Sequence, residues 1–194
     1  MKVVIIDNYD SFTYNLVHYC EQFAPVVVMR NDCIDRDQIQ KGDKIILSPG
    51  PGLPAESGEL MAVLGEYHLA HAIFGVCLGH QALAEFFGGQ LYNLEHVLHG
   101  IETACEIVQP DPLFEGVPKN FTVGHYHSWA VDEKSLPEAL EVTSRNAEGL
   151  VMAIRHRSLP LHGVQFHPES IMTPHGLRMV ENFVMHIQQE TCFQ

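Results

Sequence analysis

Four short apolar runs alternate with helical patterns through the first ninety residues, and this alternation restricts the fold most strongly. The runs are residues 3–6 (VVII), 25–29 (PVVVM), 44–47 (KIIL) and 72–76 (AIFGV). Each is too short for a helix and lacks the polar alternation of a strand with one wet face, so each reads as a strand buried on both sides of a parallel sheet. Phe12, Leu16, Tyr19, Cys20 and Phe23 fall on one helical face, which predicts a helix over 12–23 with Ser11 as N-cap. Residues 35–41 are weakly helical. Helices are also predicted over 59–70 and 78–87, the latter closed by Gly88-Gly89. Strand–helix alternation of this kind predicts a parallel sheet with helices on both faces.

Beyond residue 100 the pattern changes. Residues 103–108, 121–126, 140–144, 151–155 and 163–166 read as strands, separated by turns such as Gln109-Pro110-Asp111-Pro112. Helical periodicity returns at 177–187. No linker or repeat interrupts the 194 residues, so residues 1–194 read as a single α/β domain with a β-rich second half.

Composition narrows the function. At 46% hydrophobic and 18% charged residues the chain has the make-up of a folded protein, not of a disordered one. Its 24 acidic and 11 basic residues leave a formal charge of −13. That surface repels nucleic acid and anionic membranes and favours solubility, so neither is expected as a partner. The 13 His would soften the charge at mildly acidic pH. The five Cys, at 20, 33, 77, 105 and 192, form no C-x-x-C pair. That is poor material for a disulfide framework or a zinc knuckle, and it points to a reducing, cytoplasmic setting. The opening MKVVIID is too short for a signal sequence or a membrane span.

Gly75-Val76-Cys77-Leu78-Gly79-His80-Gln81 lies between a predicted strand and a predicted helix. It is the thiol version of the nucleophile elbow, where small neighbours allow a sharp, strained turn that lifts the nucleophile above the sheet edge. A helix N-terminus there favours a thiolate, and the Leu78 amide can point at a developing oxyanion. A buried, inert Cys is the plainer reading for Cys20, Cys33, Cys105 and Cys192, none of which has an elbow around it. A thiol nucleophile needs a base, and the base an orienting partner. His167-Pro168-Glu169 follows the predicted strand 163–166. On residue types alone two readings stand: a carboxylate set against the far imidazole nitrogen, or a strand-capping His beside a solvated Glu.

Ser48-Pro49-Gly50-Pro51-Gly52 leaves the carboxyl end of the third strand. It could give a second oxyanion donor and a substrate cradle, or be an ordinary Pro-Gly turn. In His125-Tyr126-His127-Ser128-Trp129 the His-x-His pair lacks a second ligand set, and strand alternation places both rings on one face anyway, so no metal site is expected. Asp7 and Asp10 suit local hydrogen bonds or an interface better than a Mg²⁺ pocket. A phospho-receiver module is disfavoured, because the third strand ends in Ser48-Pro49-Gly50 with no Asp to accept phosphate.

In this order and spacing, residues 48–52, 75–81, 125–129 and 163–170 make the whole chain resemble the class I (triad) glutamine amidotransferases. Residues 7–15 (DNYDSFTYN) are similar to the small subunits serving anthranilate and 4-amino-4-deoxychorismate synthesis. The resemblance implies a flavodoxin-like fold and a Cys77-His167-Glu169 triad that hydrolyses L-glutamine through a glutamyl thioester. It implies an oxyanion hole from the Gly50 and Leu78 amides, and glutamine held at Gly52, Gln81, Ser128 and Trp129. It implies no metal or organic cofactor in this subunit, with Mg²⁺ belonging to a chorismate-binding synthase subunit that receives ammonia through a tunnel. Anthranilate synthase is the favoured partner, aminodeoxychorismate synthase or both the alternative, and a stand-alone Cys hydrolase the reading of another class. Residues 8–15 and 170–175 are the expected interface. Trp129 stands where such proteins often carry Leu, and Ile101 where they often carry Lys.

Overall fold

The structure, a computed structural model, describes residues 1–188; Cys192 lies outside the described residues. In chain order the described residues form β1 (Val3–Asp7), α1 (Thr13–Cys20), β2 (Val26–Arg30), β3 (Lys44–Leu47), α2 (Leu60–Tyr67), β4 (Ile73–Val76), α3 (Leu78–Phe86) and β5 (Gln90–Ile107). There follow β6 (Asn120–Asp132), β7 (Leu140–Asn146), β8 (Val151–His156), β9 (Leu161–Val164) and α4 (Gly176–Met185). The strands make one sheet in the order β2-β1-β3-β4-β9-β8-β7-β5-β6. Pairing is parallel from β2 to β9 and antiparallel beyond it.

Helices cover both faces, and β1 shows why. Val3 and Ile5 point into a core shared with Leu16 and Cys20 of α1 and with Val180 and Phe183 of α4. Val4 and Ile6 point the opposite way, against Leu60 and Leu64 of α2 and Leu83 of α3. All five residues of β1 are buried, which is the physical reason for its unbroken apolar run. β2 and β3 flank β1 on opposite sides, so the chain changes winding direction there. Open α/β sheets bind ligands at the carboxyl ends of strands beside such a switch point.

Several details differ from the sequence expectation; the strand expected over 163–166 is β9 at Leu161–Val164, so Gln165 and Phe166 lie beyond its end. Helix α1 begins at Thr13 without a side-chain cap. The Asp10 carboxylate, in place of Ser11, takes the Phe12 N–H at 2.6 Å, and Asp7 takes the Thr13 hydroxyl at 2.8 Å. Both carboxylates are therefore engaged within their own loop. The segment 35–41 shortens to one 3₁₀ turn at Arg36–Gln38. β5 starts at Gln90, thirteen residues earlier than expected, because pairing with β6 and not burial holds it. The end of α3 is as anticipated. Gly88, at φ +100°, donates to Glu85 and Gly89 to Ala84, the two bonds of a Schellman cap.

Candidate active site

Cys77 closes β4 and opens α3 at φ +51°, ψ −96°, a region that residues with a Cβ rarely occupy. Its N–H bonds the Val164 carbonyl at 2.8 Å, which ties the elbow to β9. The flanking glycines are steric necessities. A Cβ on Gly75 would lie 2.4 Å from the Gly79 backbone, and one on Gly79 would lie 2.4 Å from the Leu47 carbonyl oxygen of β3. The turn thus fits between neighbouring strands because neither position carries a side chain.

The chain beyond β9 brings His167 and Glu169 to the same edge. Exposure is 5% for Cys77, 2% for His167 and 3% for Glu169. His167 Nδ1 meets Glu169 Oε1 at 2.7 Å. The far nitrogen, Nε2, is buried without a hydrogen-bond partner of its own. Burial opposes protonation of His167, but Cys77 and Glu169 outweigh it and hold its pKa well above the ordinary value. The segment is pinned from several sides. The His167 N–H bonds the Gly124 carbonyl at 3.1 Å, and Thr173 Oγ1 donates to the His167 carbonyl at 2.7 Å. Phe12 and Tyr126 set their rings against the imidazole at 5.8 and 4.9 Å. A Cβ on Gly176 would lie 1.7 Å from the Pro168 carbonyl oxygen, so α4 can start where it does only with glycine there.

Two clefts reach Cys77. The inner one, about 150 Å³ and mostly polar, is lined by Gly50, Pro51, Gly52, Cys77, Gln81, Tyr126, His127, Ser128 and Trp129. The outer one, about 340 Å³, passes Tyr9, Asp10, Phe12, His99, Tyr126 and His167. A Cβ on Gly50 would lie 2.6 Å from Asn8 Cβ and 2.9 Å from a Leu78 methyl, so the Pro-Gly loop is pressed against the elbow. The Leu78 N–H is the first of α3, with no preceding helical turn to accept it. Ser128 is positioned by a bulge: Asn93 pairs with Trp129 and Leu98 with His127, leaving four residues of β5 opposite it. Ile101 follows a second irregularity at Gly100 and is exposed.

His125 and His127 share a buried face, their rings joined by Nδ1 to Nε2 at 3.1 Å. Burial lowers their pKa values to about 3 and about 4, so both are neutral at pH 7. Among the described residues no group of three or more His, Cys, Asp or Glu is arranged to hold a metal ion. Cys20 and Cys105 are buried and pushed up to about 12 by that burial, while Cys33 is exposed. One residue at the site escaped the sequence reading. Gln165, fully buried, directs its side-chain amide at Cys77 Sγ from 3.6 Å. The available signal was a polar residue inside an apolar strand run.

A sequence profile of the glutamine amidotransferase class-I family matches residues 4–187. The chain belongs to this family. As a class-I glutamine amidotransferase it is 43% identical to the aminodeoxychorismate/anthranilate synthase component 2 of Bacillus subtilis, over 97% of this chain and 98% of that one. It is 46% identical to the anthranilate synthase component II of Haloarcula marismortui, over 93% and 96% of the two chains. The fold also matches the solved structure of a Thermotoga maritima glutamine amidotransferase, with a TM-score of 0.71 at 16% identity, covering 87% of this chain and 76% of that one.

Proposed function

We propose that this chain hydrolyses L-glutamine at Cys77 and passes the ammonia to a chorismate-binding synthase subunit. The observation that carries the reading is the buried Cys77, His167 and Glu169 cluster standing between an inner and an outer cleft. The Cys77 thiol gives its proton to His167 Nε2, and the thiolate attacks the side-chain amide carbon of glutamine in the inner cleft. The Gly50 and Leu78 N–H groups receive the oxyanion. His167 returns the proton to the amide nitrogen as the C–N bond breaks, ammonia leaves, and a glutamyl thioester remains on Cys77. Water, deprotonated by His167, then releases glutamate. Gly52, Gln81, Ser128 and Trp129 line the space for the substrate's amino-acid end. No step calls for a metal or organic cofactor in this subunit; Mg²⁺ belongs to the synthase.

The outer cleft is the proposed ammonia outlet. Tyr9 lines it and is exposed; Tyr14 and Ile171 are exposed as well, the latter 96%. Large apolar side chains left in water suit a partner surface, and these three fall within segments 8–15 and 170–175. The relatives' names cover both anthranilate and aminodeoxychorismate synthesis, and anthranilate synthase is the favoured partner. In the cytoplasm such a subunit would meet its synthase in trans. Mixing the protein with glutamine, chorismate and each synthase subunit separately tests this. Glutamate with anthranilate from the first mixture is the expected result. Aminodeoxychorismate from the second mixture instead would reassign the pathway, and glutamate release without either partner would make the chain a stand-alone hydrolase.

Glu169→Gln should lower kcat for glutamate release by about 10²-fold, as expected for loss of the group orienting a catalytic base. The pH profile adds a signed check. Glu169 helps to raise the His167 pKa, so the imidazolium persists above the ordinary value of ~6.5. The alkaline limb of kcat/KM should therefore lie well above that value in the wild type and move to lower pH in Glu169→Gln.

A further inference from the structure

Beyond the triad, the Cys77 sulfur has a second polar neighbour that belongs to a continuous hydrogen-bond chain. Gln165 Nε2 donates to Cys77 Sγ at 3.6 Å, while Gln81 Nε2 donates to Gln165 Oε1 at 3.1 Å and to the Trp129 carbonyl at 2.9 Å. His127 Nδ1 reaches the same carbonyl at 2.8 Å, His125 Nδ1 reaches His127 Nε2 at 3.1 Å, and Thr103 Oγ1 reaches His125 Nε2 at 2.7 Å.

The direction of this chain follows from one group. The Trp129 carbonyl can only accept, so His127 must carry its proton on Nδ1 and Gln81 must face it with the NH₂ end. His127 Nε2 is then an acceptor, which puts the His125 proton on Nδ1 and makes Thr103 the donor to His125 Nε2. On the other side, the second N–H of Gln81 needs an acceptor, so Gln165 presents Oε1 to it and its own NH₂ to the sulfur. Gln165 and His167 are two residues apart and approach Cys77 from the same chain segment.

We propose that Gln165 is a further catalytic residue, donating to the Cys77 thiolate while His167 holds the proton, and that Thr103, His125 and His127 are positioning residues that anchor the Trp129 carbonyl, the acceptor against which Gln81 and then Gln165 are oriented. This deepens the glutaminase reading and rests on it for its purpose. The donor stabilises the anion and leaves the neutral thiol little affected, as hydrogen bonds to a charged form do.

The titratable groups around the sulfur are His167 with Glu169 behind it, Asp10 and His99 across the outer cleft, and Tyr126 and His127 on β6. His80 on α3 packs against Gly163 instead. The test reads the thiolate without glutamine or partner, so it remains decisive even if glutamine is not the substrate. The rate of iodoacetamide alkylation at Cys77 is followed against pH, by mass spectrometry of the peptide that contains it, in the wild type, Gln165→Met and Gln165→Glu. The midpoint should rise in Gln165→Met by ~1 pH unit, with a rate about tenfold lower at each pH below the wild-type midpoint. Gln165→Glu, which sets an acceptor against the sulfur, should shift it further. If Gln165→Glu fails to fold, Gln165→Met alone decides, because it keeps length and removes the donor. A Gln165→Met profile that superimposes on the wild type would overturn the assignment.

For the positioning residues, His127→Phe should shift the midpoint in the same direction and raise KM for glutamine about tenfold. His127→Asn, which retains a donor near Nδ1, should restore most of both. A His127→Phe protein that melts earlier but keeps the wild-type midpoint and KM would show that the relay is structural.

Discussion

Cys77→Ser will lose glutamine-dependent product formation by a factor on the order of 10⁴ or more, while the partner synthase continues to use added ammonia at the wild-type rate. The size follows from removing a nucleophile that works as a unit with its base. The hydroxyl of Ser is far less ionised than a thiol beside His167, and the rest of the site remains in place. Loss of the ammonia-dependent reaction as well would contradict the assignment, because this chain would then be supporting synthase chemistry directly. Cys77→Gly gives the complementary result. Cys77 sits at φ +51°, strain that glycine does not feel, so the variant should be inactive yet more stable by about 1 kcal/mol. Thermal melting alongside the assay separates strain held for function from strain of no consequence.

Gly79→Ala should damage both stability and activity by a different route. The new Cβ would stand 2.4 Å from the Leu47 carbonyl oxygen and 2.7 Å from Leu47 Cβ. Both belong to β3, so neither can rotate out of the way as a flexible side-chain end would. The elbow must move off the sheet, at a cost on the order of 3 kcal/mol. For a chain of this length that corresponds to a fall in Tm of about 6–12 °C. Displacing Cys77 by about 1 Å from His167 should also reduce glutamate release about 10²-fold. Gly42→Ala provides the comparison. That glycine has φ +89° but no atom within 4 Å of a built Cβ, so the substitution is confined to local backbone strain and should leave activity intact.

The parts of the molecule legible in the sequence are those whose physics is local. The runs of β1, β3 and β4 are almost wholly apolar because both faces are covered, with Asp7 and Lys44 only at strand ends, and the boundaries of β3 are readable to the residue. Gly75 and Gly79 announced the elbow because a side chain at either position collides with backbone. The adjacency of Glu169 to His167 Nδ1 was open on residue types alone. It depends on Gly124, Thr173 and Gly176, which come from β6, the loop before α4 and the start of α4 and fix the His-Pro-Glu segment from outside.

The early part of β5 was hidden for the opposite reason. Gln90, Asn93, Leu94, Glu95, His96 and Leu98 show no two-residue alternation, since this stretch is largely exposed and interrupted by bulges. Its backbone partner on β6 lies 29 to 42 residues away, and no local propensity reports such pairing. Ser11 was a reasonable cap by residue type, but Asp10 is the side chain whose carboxylate reaches the Phe12 N–H. Gln165 shows the same limit at the site itself. Its meaning lies in Gln81, Trp129 and Cys77, three separate positions that only the folded sheet brings together.

The most direct measurement is mass spectrometry of the protein quenched in acid shortly after mixing with glutamine and its synthase partner. The account predicts a glutamyl group on the peptide containing Cys77, removable by hydroxylamine and absent in Cys77→Ser. Glutamate release with no acyl group on Cys77, or with one on another residue, would contradict it.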